Sequence, residues 1–299
     1  MTLPTVHADF RADLRTHLVT LLAAEQQAVP HEADAHQASI LYFNLKWRQV
    51  EPRPRMTLWS NELRGRTLSI ELRAGLQRLV SASERGDALK PFMSRSVDRA
   101  SYDDLMFNDW GVHHFHMGSD EAAGFVSRTD ELVFAWVTKR SLHLIDVLHH
   151  GVWAEDRLLE IVHQNWPHII APARARGVVP GSLQCEWSGR TRQKGRKLFL
   201  LPWQAADGTI YLPPGGGSAL GGLSTWVADR AQGLMRYVND LERDCRTQAP
   251  MLRKELDIEH LPALHFRLEF EPDRWYVRET QCDKLVGLPP LPRWAAFSV

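Results

Sequence analysis

The fold turns on residues 102–156, which read YDDLMFNDWGVHHFHMG from Tyr102 to Gly118 and, further on, ELVFAWVTKRSLHLIDVLHHGVWAED from Glu131 to Asp156. ELVFAWV and LHLIDVL are short apolar runs, rich in residues that suit a pleated, half-buried surface. The polar Thr138-Lys139-Arg140-Ser141 separates them. With the extended segment before them, the pattern predicts three consecutive antiparallel strands whose ends carry imidazoles. His113, His114 and His116 lie on the first, and His149 and His150 at the end of the last. Strand alternation puts His114 and His116 on one face, toward a cleft, and Phe115 and Met117 on the other, toward a core. His113 points with Phe115 and is expected in the core; His143 reads as structural, and Asp146 as facing away from the site.

Working outward, Phe10, Leu14, Leu18 and Leu21 or Leu22 recur at helical spacing before Pro30, so a first amphipathic helix is expected. His36 to Arg48 fits a short helix or a strand. Met56 to Trp59 is strand-like after two prolines, and Leu68 to Arg85 returns to a helical pattern that Gly86-Asp87 stops. Trp153 to Trp166 is amphipathic and helical, ending at Pro167. Beyond it, Leu198–Pro202 and Thr209–Leu212 read as a hairpin turned by Ala206-Asp207-Gly208, a glycine-rich loop leads to a helix from Ser224 to Cys245, and LHFRLEFEP and WYVRET read as a last hairpin. The expected fold is α+β in three parts: an N-terminal helical segment over 1–51, a catalytic module over 52–170 with an antiparallel sheet and helices, and a C-terminal α+β domain over 171–299.

With 299 residues, 36 basic and 36 acidic, the chain has room for a real core and no net field to draw it onto a polyanion. Nucleic acid would need a local patch. Cys185, Cys245 and Cys282 form no CxxC pair and leave an odd one out, which argues against a disulfide framework or a cysteine zinc site. The N-terminus MTLPTVHADFRADLR carries charges where a signal peptide is apolar, and no run approaches the roughly 20 apolar residues of a membrane span. A cytoplasmic protein away from membranes is expected.

In the order of its elements, the stretch 52–156 resembles the RelE/ParE-type toxin superfamily, in which one strand, a helical hairpin and a three-strand meander form a small ribonuclease. It is most similar to the RelE/YafQ-like mRNA interferases, where an acidic residue and a histidine on the second strand act with a histidine just after the last. The matching stretches are Asn108-Asp109-Trp110, His114 to Met117, and Leu148-His149-His150-Gly151. The resemblance implies a RelE-like module, RNA as substrate (ribosome-bound mRNA included), a protein antitoxin as partner, and a toxin–antitoxin or phage-defence setting.

The chemistry implied is metal-independent cleavage by the 2′-hydroxyl, with no cofactor. It needs a base, an acid and a donor for the developing charge, and imidazole suits the first two near neutrality. His116, His149, His114 and His150 are the candidates, and Asp109 is expected to orient one ring. Arg95 is a candidate phosphate holder, and Trp110 a base-stacking residue. The run GRTRQKGRK places Arg190, Arg192, Lys194, Arg196 and Lys197 together, enough to grip RNA or to form a solvated rim. Gly215-Gly216-Gly217 to Gly221-Gly222 fits either a phosphate cradle or a connection. Two other readings stay open. His114-x-His116 with Glu121 resembles half of a cupin metal motif, and ParE-type relatives act by binding a protein target rather than by cleaving RNA.

Overall fold

A computed structural model describes residues 5–119, 121–150, 155–177, 202–217, 222–271 and 274–288. First come β1 (Thr5–Ala8), α1 (Phe10–Ala24) and α2 (Ala35–Trp47). β2 (Met56–Trp59), the one-turn α3 (Asn61–Arg64) and α4 (Ile70–Arg85) follow, then 3-10 turns at Lys90–Phe92 and Arg95–Asp98 and the short α5 (Leu105–Trp110). Next are β3 (Val112–His116), the small β4 (Glu121–Ala122) and β5 (Phe125–Val126), β6 (Glu131–Val137), β7 (Ser141–His149), α6 (Glu155–Asn165) and α7 (Pro167–Ile170). The rest comprises β8 (Trp203–Gln204), β9 (Ile210–Tyr211), α8 (Thr225–Thr247), α9 (Ala249–Glu255), β10 (Ala263–Phe270), β11 (Trp275–Glu279) and β12 (Lys284–Gly287). The architecture is α+β, and among the described residues no helix is long and apolar enough to cross a membrane.

The chain forms two compact units, residues 48–226 and residues 1–47 with 227–299, rather than the three successive parts expected. The cause is a pairing far apart in sequence. β1 lies parallel to β10, from Thr5 opposite Ala263 to Ala8 opposite Phe266, and so ties the N-terminal segment into the sheet β1-β10-β11-β12. α1 buries Phe10, Leu14, Leu18 and Leu22, one stripe at four-residue spacing, and packs on β10. Sequence periodicity marks such a stripe but does not name the surface that covers it.

Residues 48–226 hold the sheet β2-β7-β6-β3. β3, β6 and β7 form the expected antiparallel meander, while β2 joins β7 in parallel, so the sheet is mixed rather than wholly antiparallel. One face packs Phe115, Met117, Val133 and Val147 against Leu76, Leu79 and Val80 of α4. The other packs Leu132, Phe134 and Leu148 against Leu158, Leu159 and Val162 of α6. Helices on both faces explain why ELVFAWV and LHLIDVL are nearly continuous apolar runs. Ser60 and Ser69 cap α3 and α4 through their side-chain oxygens, and Gly86 closes α4 at φ +84°.

Candidate site at the end of the central meander

At the C-terminal end of β3, His116 pairs with Leu132 of β6, which itself pairs with Leu148 of β7, so these three side chains share one face. His116 is 2 % exposed. Thr129, just before β6, fixes that end twice: its amide donates to His116 Nδ1 at 3.3 Å, and its hydroxyl accepts from the amide of Met117 at 3.3 Å. An amide donor at Nδ1 leaves the neutral ring's proton on Nε2. Burial, and then the positive charges of His114, Arg128 and His150, lower the His116 pKa to about 4. The ring is therefore neutral at pH 7 and presents Nε2–H as a donor.

Arg128, Asp130, His149 and His150 form an exposed rim at the same end. The amide of His150 donates to the carbonyl of Asp130 at 2.5 Å, so the backbone of 129–130 bridges from His116 to the end of β7. Nδ1 of His149 lies 2.9 Å from Asp130 Oδ2, with the imidazole 64 % and the carboxylate 80 % exposed. Register separates the two imidazoles at the end of β7. His149 stands opposite Glu131 and faces the other side of the sheet, whereas His150, in the turn after β7, bears electrostatically on His116. The carboxylate beside the exposed His149 imidazole is thus Asp130, which the sequence pattern does not single out. Asp130 sits one residue outside an apolar run, where a strand boundary cannot be fixed from pattern alone.

Asn108-Asp109-Trp110 is helical, the last turn of α5, and not part of the second strand of the module. Asp109 is wholly buried and Trp110 belongs to the α6-side core, so neither the expected ring-orienting carboxylate nor the base-stacking surface is found there. A different acid meets β3: Asp104 caps α5 by accepting from the Phe107 amide at 3.1 Å, and its second oxygen is 3.4 Å from His114 Nδ1. His114 is buried on the side of Phe134, not open to a cleft. His113 lies between Phe107 and Phe115, and its burial, with the charges of His114 and Arg55, lowers its pKa to about 3. His143 is buried against Trp166 and hydrogen-bonded to Ser141 Oγ at 2.8 Å, a structural role.

Arg95 is exposed on its 3-10 turn and makes no hydrogen bond or ion pair to a described histidine. Residues 190–197, with Arg190, Arg192, Lys194, Arg196 and Lys197, lie outside the described residues, as do parts of the glycine-rich loop. Its described glycines pack on α5. The amide of Gly215 donates to the Asp109 carbonyl at 3.0 Å, and a Cβ at Gly215 would fall 1.9 Å from the Asn108 carbonyl oxygen. Close backbone approach accounts for Gly215 without a phosphate. Among the described residues no three His, Cys, Asp or Glu side chains gather as metal ligands, and the Glu121 side chain is outside them. Asp146 is a wholly buried carboxylate held by Arg66 at 2.7 Å and Arg157 at 2.9 Å, both partly exposed.

The rim can therefore offer a guanidinium, one carboxylate-held imidazole and a second imidazole, all reachable from solvent. Comparison of the chain with protein-family models, with curated proteins and with solved structures gave no match.

Proposed function

We propose that residues 48–226 form a RelE-like, metal-independent endoribonuclease that works from the Arg128–Asp130–His149–His150 rim. One observation carries the reading: the Thr129–Asp130 backbone draws the ends of β3 and β7 together, and there the exposed His149 Nδ1 lies 2.9 Å from Asp130 Oδ2. The succession of strand, helix and three-strand meander supports it. Arg128 would hold the scissile phosphate. His149, its Nδ1 on Asp130, would take the 2′-hydroxyl proton through Nε2. His150, the next residue in the turn after β7, would protonate the departing 5′-oxygen. His116 lies beneath and orients the rim without touching substrate. Ribosome-bound mRNA, a protein antitoxin, a toxin–antitoxin or phage-defence setting and a cytoplasmic location belong to the same proposal.

The test is cleavage of RNA in EDTA by wild type, His149→Ala and His150→Ala, with RNA ends sequenced. Each variant is expected to lose about 10²-fold or more in rate, the usual worth of a positioned acid or base. Undiminished cleavage by the double variant would rule the assignment out. The burial of His114 and His116 favours a second reading, binding of a nucleic acid or protein without cleavage. Wild-type protein that binds RNA or a protein target but leaves RNA intact would establish that alternative.

A further inference from the structure

Arg48, in the same unit, is 2 % exposed and its guanidinium lies 5.2 Å from the centre of the Tyr102 ring. Nη2 donates to the Arg99 carbonyl at 2.6 Å, but Nε and Nη1 meet no protein acceptor. A buried donor left so is destabilising, the more so when it is charged. The large majority of buried polar groups in folded proteins meet a protein or water partner. Arg48 lines a cavity of about 10 Å³ with Ser94, Tyr102, Asp104, His113 and His114. That is the space needed by the centre of one water molecule, and too little for a phosphate or carboxylate ligand. Met93, Val97 and Phe107 complete the lining, but the unpaired Arg48 donors and the Asp104 carboxylate disfavour an apolar occupant.

We propose that this cavity is a binding site for one water molecule, which accepts from the free N–H groups of Arg48 and donates to the Asp104 carboxylate. Charge selects water over a halide of similar size. Asp103 and Asp104 already face the guanidinium, and an anion would add a third negative charge to a buried place. Asp104 lies 3.4 Å from His114 Nδ1, so the water extends a polar chain from Arg48 to the imidazole of the central strand. The site is distinct from the Arg128–His150 rim and holds whether or not RNA is the substrate.

Oxygen-17 relaxation dispersion counts long-lived internal waters in the full-length protein. Arg48→Met, which removes the donors and nearly keeps the volume, is expected to lose one relative to wild type, its fold being checked by the amide fingerprint. An unchanged count in the folded variant overturns the proposal. Should Arg48→Met fail to fold, nuclear Overhauser transfer decides on nitrogen-15-labelled wild type: a cross-peak from water to Arg48 Nε–H supports the site, and its absence refutes it. Crystals soaked in bromide are expected to show no anomalous peak in the cavity. A bromide peak there overturns the assignment to water.

Discussion

The Thr129 amide donates to Nδ1 of His116 at 3.3 Å, and that bond, made in a buried setting, settles which proton state the folded protein keeps. The ring is neutral with its proton on Nε2. Nitrogen-15 spectra of the imidazole should show the Nε2–H form at pH 7 and no titration until about pH 4. A ring that titrates near 6.5 would mean that the end of β3 is open to water.

Acid sensitivity follows with a definite sign. His116 and His143 titrate near 4 and His113 near 3 in the folded chain, against 6.5 when unfolded. Between pH 6.5 and about 4 the unfolded state binds more protons, so stability rises with pH across that window and is lost on acidification. Each tenfold difference in proton affinity is worth about 1.4 kcal/mol, so the three buried rings contribute to acid unfolding. Urea midpoints measured from pH 7 to 4 should fall, and His116→Gln should flatten the fall. An equally steep curve in that variant would remove His116 from the account.

If Arg128 holds a phosphate, its loss should change binding in a salt-dependent way. For single-stranded RNA, Arg128→Gln should reduce the slope of log K against log salt by about 0.7, the counterion release of one contact. Asp130→Asn should leave that slope alone while lowering the cleavage rate. Titrations of a labelled oligonucleotide at several salt concentrations separate the two. Equal slopes for wild type and Arg128→Gln would show that the guanidinium makes no phosphate contact.

The meander was legible because β6 and β7 are covered on both faces and therefore leave near-continuous apolar runs, and because Phe115 and Met117 alternate with imidazoles on β3. The strand Met56–Trp59 and the helices at 10–24 and 70–85 were legible from periodicity and from breakers such as Gly86. What failed depended on contacts that no local pattern encodes. The parallel pairing of β1 with β10 spans most of the chain, so the division into units was hidden. The resemblance implies a strand position for Asp109, but Asp104 caps a helix that ends at Trp110. His149 and His150 are adjacent letters, and only the register of β7 against β6 tells that His149 faces away from His116.

Gly75 sits within α4, where glycine costs about 1 kcal/mol relative to alanine in a free helix. Here a Cβ would lie 1.9 Å from the carbonyl oxygen of Met117, the residue after His116. Gly75→Ala should therefore destabilise by about 1–3 kcal/mol through forced displacement of α4 from β3. Gly111→Ala is the comparison: its φ is +69° but a Cβ there meets nothing within 4 Å, so only backbone strain of roughly 1–2 kcal/mol applies. Amide spectra distinguish them, since Gly75→Ala should move resonances of Met117 and Thr129 while Gly111→Ala perturbs its own turn. Stabilisation by Gly75→Ala would mean that α4 does not press on the end of β3.

Cysteine reactivity tests the packing of the other unit. Cys245 is buried in α8, and burial, reinforced by Asp244 and Glu242, pushes its thiol up to about 12. Cys282 is half-exposed, with Sγ 4.0 Å from His260 Nε2. Because the thiolate is the nucleophile, iodoacetamide at pH 7.5 should alkylate Cys282 well before Cys245. Each substitution forms a C–S bond and releases iodide. Peptide mass spectrometry of native and urea-unfolded protein reads the two rates, which should converge on unfolding. The raised Cys245 pKa carries its own sign: above pH 9 the unfolded thiol ionises first, so stability should decline on the alkaline side, and Cys245→Ala should remove that part of the decline. Native Cys245 reacting as fast as Cys282 would show that α8 does not seal it.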